Sequence, residues 1–392
     1  MTVIADRDAE FLAGIGQIAD AIAAVHADAV DRDARFPVET IDALREQRAL
    51  SALVPTEYGG DGGVSFPAVA EACFTLGRRC GASAMVFAMH QIQVATLVRH
   101  LDGAPFFEDY LRELVSGQRL IASVTSEVGT GGDMSRSVAA LTPVDGDPAR
   151  ATFEKQAPTV SYGAHADDLL VTLRAHPDSA PGEQVAVLVR ADQATLEPAG
   201  TWDPLGMRGT CSPGYVVRAE VATEQVMGTP FPAVSTESMV PISHLLWSHI
   251  WLGIATDAFD RARAFVRAAA RRAPGEPVPA AIKLSHVMTQ LSLLRAEVRS
   301  AMDEWTDAEA DRERLSTLAF ALHVNNLKLA ASEQAPRVCQ QAMGVCGIVG
   351  FKNDTPFSVG RHLRDSMSAS LMVANERIHQ TNAGLLLIAK EV

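Results

Sequence analysis

The sequence is poor in features that mark several protein classes. No apolar run approaches the ~20 residues that a membrane-spanning helix needs, so no membrane role is expected. The opening MTVIADRDAE has neither a basic segment nor an apolar one. No secretory signal is visible, and the cytoplasm is the expected compartment. Five cysteines (Cys73, Cys80, Cys211, Cys339, Cys346) form no CxxC pair and read as reduced, mostly buried small apolar residues. The eleven histidines show no HExxH or comparable spacing, so no metal site is expected. Cations are outnumbered, 34 Lys and Arg against 47 Asp and Glu. The net charge of −13 favours solubility and argues against a nucleic-acid surface. No internal repeat or low-complexity tract is evident.

What is present is a globular composition, 47% hydrophobic and 21% charged, over 392 residues. That length predicts two or three domains. Residues 1–118 read as helices. In FPVETIDALREQRAL, Val38, Ile41 and Leu44 recur every three residues behind Pro37, a helix-start signal. YGGDGG (Tyr58 to Gly63) predicts a loop, and AMVFAMHQIQVATLVRHL is apolar almost all round, the mark of a buried helix. Residues 119–230 change texture. Short Val-rich runs (IASVTSE, LLVTLRA, QVAVLVRAD, GYVVRAEVA) broken by Gly, Pro and Asp predict a small antiparallel β domain. Residues 231–392 return to longer helices, with Leu246, Ile250, Ile254 and Ala258 four apart, and predict a C-terminal helical bundle broad enough to meet other subunits. The fold class is therefore α+β, with ligands expected in a crevice between domains.

Three stretches carry candidate chemistry. VTSEVGTGGDMS offers Thr125 and Ser126 hydroxyls and the turn glycines Gly129, Gly131 and Gly132, whose N–H groups can face an anion. It lacks both the Gly-Lys-Ser/Thr of a Walker loop and the crossover helix of a dinucleotide fingerprint. TVSYGAHADDLLV places Thr159 and Ser161 on one face of an extended segment. QQAMGVCGIVGF reads as a helix end punctuated by Gly344, Gly347 and Gly350. Taken singly, each also fits ordinary turns and helix caps.

Together and in order, these segments resemble the acyl-CoA dehydrogenase family of flavoproteins. The resemblance runs from FPVETIDALREQRALSALVPTEYGGDGG through SEVGTGGD, TVSYG…ADDLLV, LGIATDAFDRARAFV and QQAMGVCG to RHLRD. It implies a helical N-terminal domain, a middle β domain and a C-terminal bundle. It also implies FAD between the β domain and the last helices, with the site completed by a second subunit of a homodimer or homotetramer. Under it, Thr125, Ser126, Thr159 and Ser161 line the isoalloxazine ring, and Gly131 and Gly132 approach the pyrophosphate. Gln341 and Gly344 reach the adenine half of another subunit's FAD, and Asn375 stands at a cofactor-binding position. Thr159 occupies a place where the family usually has tryptophan, which implies a thinner wall there. The family's FAD-contacting Arg has no clean match in RAAARRAPGEPVP.

The same resemblance exposes a gap. The family's reaction removes an α-proton from an acyl thioester with a carboxylate while hydride passes to flavin. Such a proton is only weakly acidic, so a base must sit within hydrogen-bond reach. In RDSMSASLMVANERIHQ the position of that carboxylate is Val373, and the alternative position on the helix before LGIA is Ser243. Glu376, His244 and His90 are the candidate replacements. The first expectation is a dehydrogenase acting on an acyl-CoA or acyl-carrier-protein thioester with a relocated base, passing its electrons to an external acceptor. The alternatives are a monooxygenase of the same fold, fed by a flavin reductase and O₂, and a degenerate, non-catalytic homologue.

Overall fold

The computed structural model describes residues 2–60 and 63–389. The chain opens with helices α1 (Thr2–Ile18), α2 (Ala24–Arg32), α3 (Val38–Glu46), α4 (Phe66–Gly77), α5 (Gly81–Arg99) and α6 (Pro105–Gly117). Their ends follow the sequence signals. Pro37 precedes α3, and the Ser65 hydroxyl accepts the Ala68 N–H at 3.2 Å to cap α4. The predicted YGGDGG loop begins with Tyr58 at the end of a 3₁₀ turn (Thr56–Tyr58) closed by Gly59, while Asp61 and Gly62 lie outside the described residues. Helix α5 is long and apolar enough to cross a bilayer, but most of it is buried inside the protein, where its neighbours account for its apolarity.

Seven strands follow: β1 (Ile121–Val124), β2 (Thr142–Val144), β3 (Asp147–Ala157), β4 (Asp168–Arg174), β5 (Gln184–Arg190), β6 (Ala194–Pro198) and β7 (Tyr215–Ala222). They form two sheets, ordered β1-β4-β5 and β2-β3-β7-β6. The second is antiparallel throughout, but β1 runs parallel to β4, Ile121 opposite Asp168, so the expectation of a wholly antiparallel domain is corrected. A parallel pair needs a long crossover, and the β2–β3 excursion provides it. In β3, Ala151, Phe153, Lys155 and Ala157 point inward in strict alternation. The Lys155 ammonium is buried, donates to Thr172 O at 2.6 Å and faces Glu127 at 3.7 Å. Glu127 in turn accepts from Ser137 Oγ at 2.6 Å and from the Ala139 N–H at 2.5 Å. That chain ties the glycine-rich turn to the sheet.

The C-terminal part comprises α7 (Phe231–Val234), α8 (Val240–Arg272), α9 (Ala280–Ala308), α10 (Arg312–Leu315), α11 (Leu318–Cys346), α12 (Ile348–Phe351), α13 (Gly360–Met367) and α14 (Asn375–Leu386). Helix α8 is the axis of the molecule, with Leu246, Ile250, Ile254 and Ala258 all buried. It lies hard against α4. A Cβ on Gly253 would stand 2.4 Å from Phe74 O, and one on Gly77 would stand 2.8 Å from Ile250 O, so only glycine permits this crossing.

Candidate active site

Two cavities open where the sheets meet the last helices. The β-side cavity, about 560 Å³, lies between α5, the segment carrying Thr159 and Ser161, the 199–214 connection and the start of the RDSMSASLMVAN stretch. The helix-side cavity, about 610 Å³, lies between the glycine-rich turn, the N-terminal end of α8, α11 and α14. Val373 is the residue common to both linings.

The β-side cavity is mostly apolar, with Met85, Met89, Met207, Met367 and Met372 on its walls. Its polar feature is a string of hydroxyls. Ser161 Oγ lies 2.9 Å from Ser212 Oγ, which lies 2.9 Å from Thr210 Oγ1, and Thr210 donates to Met207 O at 2.9 Å. Ser212, Thr210 and Met207 line the same cavity, and because Ser212 donates to Ser161, the Ser161 hydroxyl proton is left for a ligand. Trp202 also lines the cavity and is fixed by an Nε1–H bond to Arg208 O at 2.9 Å. An indole from another segment thus lines the same cavity as Thr159. Close packing positions that segment, since a Cβ on Gly206 would stand 2.1 Å from Arg364 O.

The Arg-Asp frame is a mechanical anchor. The Arg364 guanidinium pairs with Asp31 and donates to Leu205 O at 3.0 Å. Asp365 accepts the Met207 N–H at 2.7 Å, and burial pushes its carboxyl up to about 6, with Arg361 opposing. At the far end, Arg377 donates to Gly131 O and so ties α14 to the glycine-rich turn. Between these anchors Val373 is held at φ +49°, a left-handed conformation that is unusual for a β-branched residue.

The three candidate bases are not gathered at Val373. Glu376 is exposed in the first turn of α14 and lines neither cavity. His90 is wholly buried. Its Nδ1 accepts the Ile121 N–H at 3.0 Å, which leaves Nε2 to donate to Leu50 O at 2.8 Å, and burial pushes it down to about 4. It is a clasp between the helices and β1, with no nitrogen left for a substrate. His244 does line the helix-side cavity, and its Nδ1 has no partner among the described residues. Burial pushes it down to about 3, and the Lys328 ammonium adds to that depression.

The expected cofactor residues divide. Thr159 and Ser161 line the β-side cavity, and Gly132 lines the helix-side one. Gly131 and Gly132, with φ +62° and +83°, form the turn beneath Arg377. Thr125 and Ser126 line neither. Ser126 spends its hydroxyl on Thr159 O at 2.6 Å and so sets the Thr159 segment in place. Asn375 is buried and turned away. Its amide binds Lys328 and Ser332 on α11. Gln341 and Gly344 are exposed on α11, outside both linings. The methionines, Trp202, Thr210 and Ser212 were missed by sequence reasoning. The signal for the last three was WDPLGMRGTCS, a Gly-punctuated stretch with an isolated Trp between two strands.

Comparison with known proteins bears on the family and the fold. Residues 6–118 match the family model for the acyl-CoA dehydrogenase N-terminal domain, and residues 242–379 match that for the C-terminal domain. The chain is 25% identical over 384 residues to the probable acyl-CoA dehydrogenase YngJ of Bacillus subtilis, covering 94% of this chain and 93% of the relative. It is 26% identical over 360 residues to the amino sugar nitrososynthase DnmZ of Streptomyces peucetius, covering 87% and 84%. Its fold superimposes on FMN-bound TdsC, a dibenzothiophene monooxygenase of Paenibacillus sp. A11-2, with a TM-score of 0.82 at 21% identity over 96% and 97% of the two chains. The two domain matches, with the helix–sheet–helix order, place this chain in the acyl-CoA dehydrogenase family, whose members are flavin-dependent oxidoreductases.

Proposed function

We propose that this protein is a flavin-dependent monooxygenase built on the acyl-CoA dehydrogenase fold, with flavin in the β-side cavity and the organic substrate in the helix-side cavity. The observation that carries the reading is Val373 at the junction of the two, with no effective base around it. The β-side lining contains no carboxylate. The helix-side lining contains one, Asp133, and Ser135 occupies it through both N–H (2.9 Å) and Oγ (2.6 Å). Those bonds hold Asp133 below the usual carboxylate range. His244, pushed down to about 3, is likewise a weaker base than an ordinary histidine. α-Proton removal needs a base matched to neutral pH, and both available groups are displaced the wrong way.

The residues present fit a flavin. Thr159, Ser161 and Trp202 offer two hydroxyls and an indole to a ring system, and the methionine thioethers supply polarisable apolar walls. When bound in reduced form, the flavin supplies two electrons to O₂, so that one oxygen atom enters the substrate and the other leaves as water. Val373 and the methionine wall keep water from the junction. His244 Nδ1, neutral at physiological pH, accepts a hydrogen bond from a substrate N–H or O–H. A flavin reductase provides the electrons from outside, and Gln341 and Gly344 serve a neighbouring subunit in a homodimer or homotetramer.

The nitrososynthase and TdsC relationships support oxygen chemistry, and YngJ supports the second reading, dehydrogenation of an acyl thioester, for which His244 would have to serve as base. One preparation separates them. The protein is titrated with FMN and FAD separately, then mixed anaerobically with acyl-CoAs of graded length. The flavin is expected to stay oxidised. After reduction and exposure to ¹⁸O₂ with a panel of amine, thioether and indole probes, label is expected in a product. Anaerobic bleaching by any acyl-CoA that is lost in His244→Ala would establish the dehydrogenase instead.

A further inference from the structure

The sequence has five lysines, and two of them, Lys155 and Lys328, are fully buried. Lys155 has Glu127 as a counter-charge. Lys328 has none, since no carboxylate pairs with it among the described residues. Its Nζ donates to Asn375 Oδ1 at 2.6 Å. A lysine can only donate, so the Asn375 carbonyl oxygen must face it, and the Asn375 NH₂ then donates to Ser332 Oγ at 3.1 Å. Asn375 is the residue at which the remodelled RDSMSASLMVAN stretch ends and α14 begins. Two residues before it stands Val373, strained and shared by both cavities. The other end of the stretch is anchored by Arg364 and Asp365.

We propose that Lys328 is a positioning residue. Through Asn375 it latches residues 368–375 and holds Val373, against its backbone strain, at the junction of the flavin and substrate cavities. An uncompensated buried ammonium is costly, and its retention is accounted for by the strong charge-assisted bond it makes at this site. The latch rests on the two-cavity reading above but not on which reaction the cavities perform.

The latch responds to pH. Burial lowers the Lys328 pKa to about 8, with Glu333 of α11 and Glu376 of α14 opposing, and His244 of α8 feels the same charge. As the ammonium loses its proton, the bond to Asn375 falls from charge-assisted to neutral, roughly halving its strength. Global stability moves the other way. Between about 8 and 10.5 the unfolded chain binds the proton more tightly, so this group adds stability as pH rises. A loosening latch and a firmer fold over one interval are a signature that a merely structural lysine does not give.

The test is amide hydrogen exchange of residues 368–375 in the purified full-length chain, with FMN and FAD affinities measured alongside. In the wild type, protection of these amides relative to their intrinsic exchange rate, which itself rises with pH, is expected to fall about pH 8, and flavin affinity to fall with it. Lys328→Met should be about tenfold less protected below pH 8, with the gap narrowing above it, and should lose the alkaline step. Asn375→Asp, nearly isosteric, gives the ammonium a counter-charge and should move the step upward by about one pH unit or more. Wild-type exchange in Lys328→Met, or an unmoved step in Asn375→Asp, overturns the latch. A wild-type chain that binds neither flavin overturns the cofactor reading instead, while the exchange data still decide the latch.

Discussion

Val373 gives the sharpest test of the backbone argument. At φ +49° a side chain of any size meets its own backbone, at a cost of about 1–2 kcal/mol, and glycine escapes that cost. Glycine also carries its own penalty of about 0.5–1 kcal/mol in unfolded-state entropy relative to alanine. Val373→Ala and Val373→Gly both lose the half-buried isopropyl group, so that loss largely cancels between them. The remaining difference favours glycine by about 1 kcal/mol, the reverse of the usual order at helix or strand positions. For a domain of this size that is about 2 °C in melting temperature. Urea and thermal unfolding of the two variants, each loaded with the same flavin, provide the assay. If Val373→Ala proves the more stable, the strain is not present and the case for a latch that opposes it weakens with it.

Three further outcomes follow from the site. Asp365 ionises at 3.8 in an unstructured chain and at about 6 when folded. The folded state therefore holds the proton more tightly between those values, and stability falls as pH rises through them, by about 3 kcal/mol in total. Asp365→Asn keeps the acceptor for Met207 N–H and should flatten stability between pH 4 and 7, and a variant that tracks the wild type refutes this. His90→Leu orphans the Ile121 N–H, while Leu50 O keeps its bond from Gln91, so a loss of about 1–3 kcal/mol in unfolding free energy is expected with turnover per folded molecule unchanged. A stable His90→Leu with lost turnover would restore His90 as a base. Trp202→Ala should weaken flavin binding about tenfold while leaving the fold intact, measured by quenching of flavin fluorescence, and unchanged affinity would remove Trp202 from the cofactor wall.

The sequence by itself determined the layers. Apolar residues four apart in LLWSHIWLGIATDA could only bury as a core helix, and the alternation in GYVVRAEVA, the segment of β7, could only present one face inward. The resemblance to the family added the expectation that Val373, counted from Arg364 and Asp365, stands where the usual carboxylate would be. Tertiary structure alone decided what surrounds that position. Whether His90 is a base depends on Leu50 and Ile121, which are 40 and 31 residues away, and they occupy both ring nitrogens. Asn375 reads as a cofactor ligand until Lys328, 47 residues upstream, claims its oxygen. Trp202, from another strand connection, joins Thr159 in the lining of one cavity. Periodicity is a local property that hydrophobic burial imposes on each element. The protonation and orientation of a side chain are set by neighbours that only the packed chain brings within 3 Å.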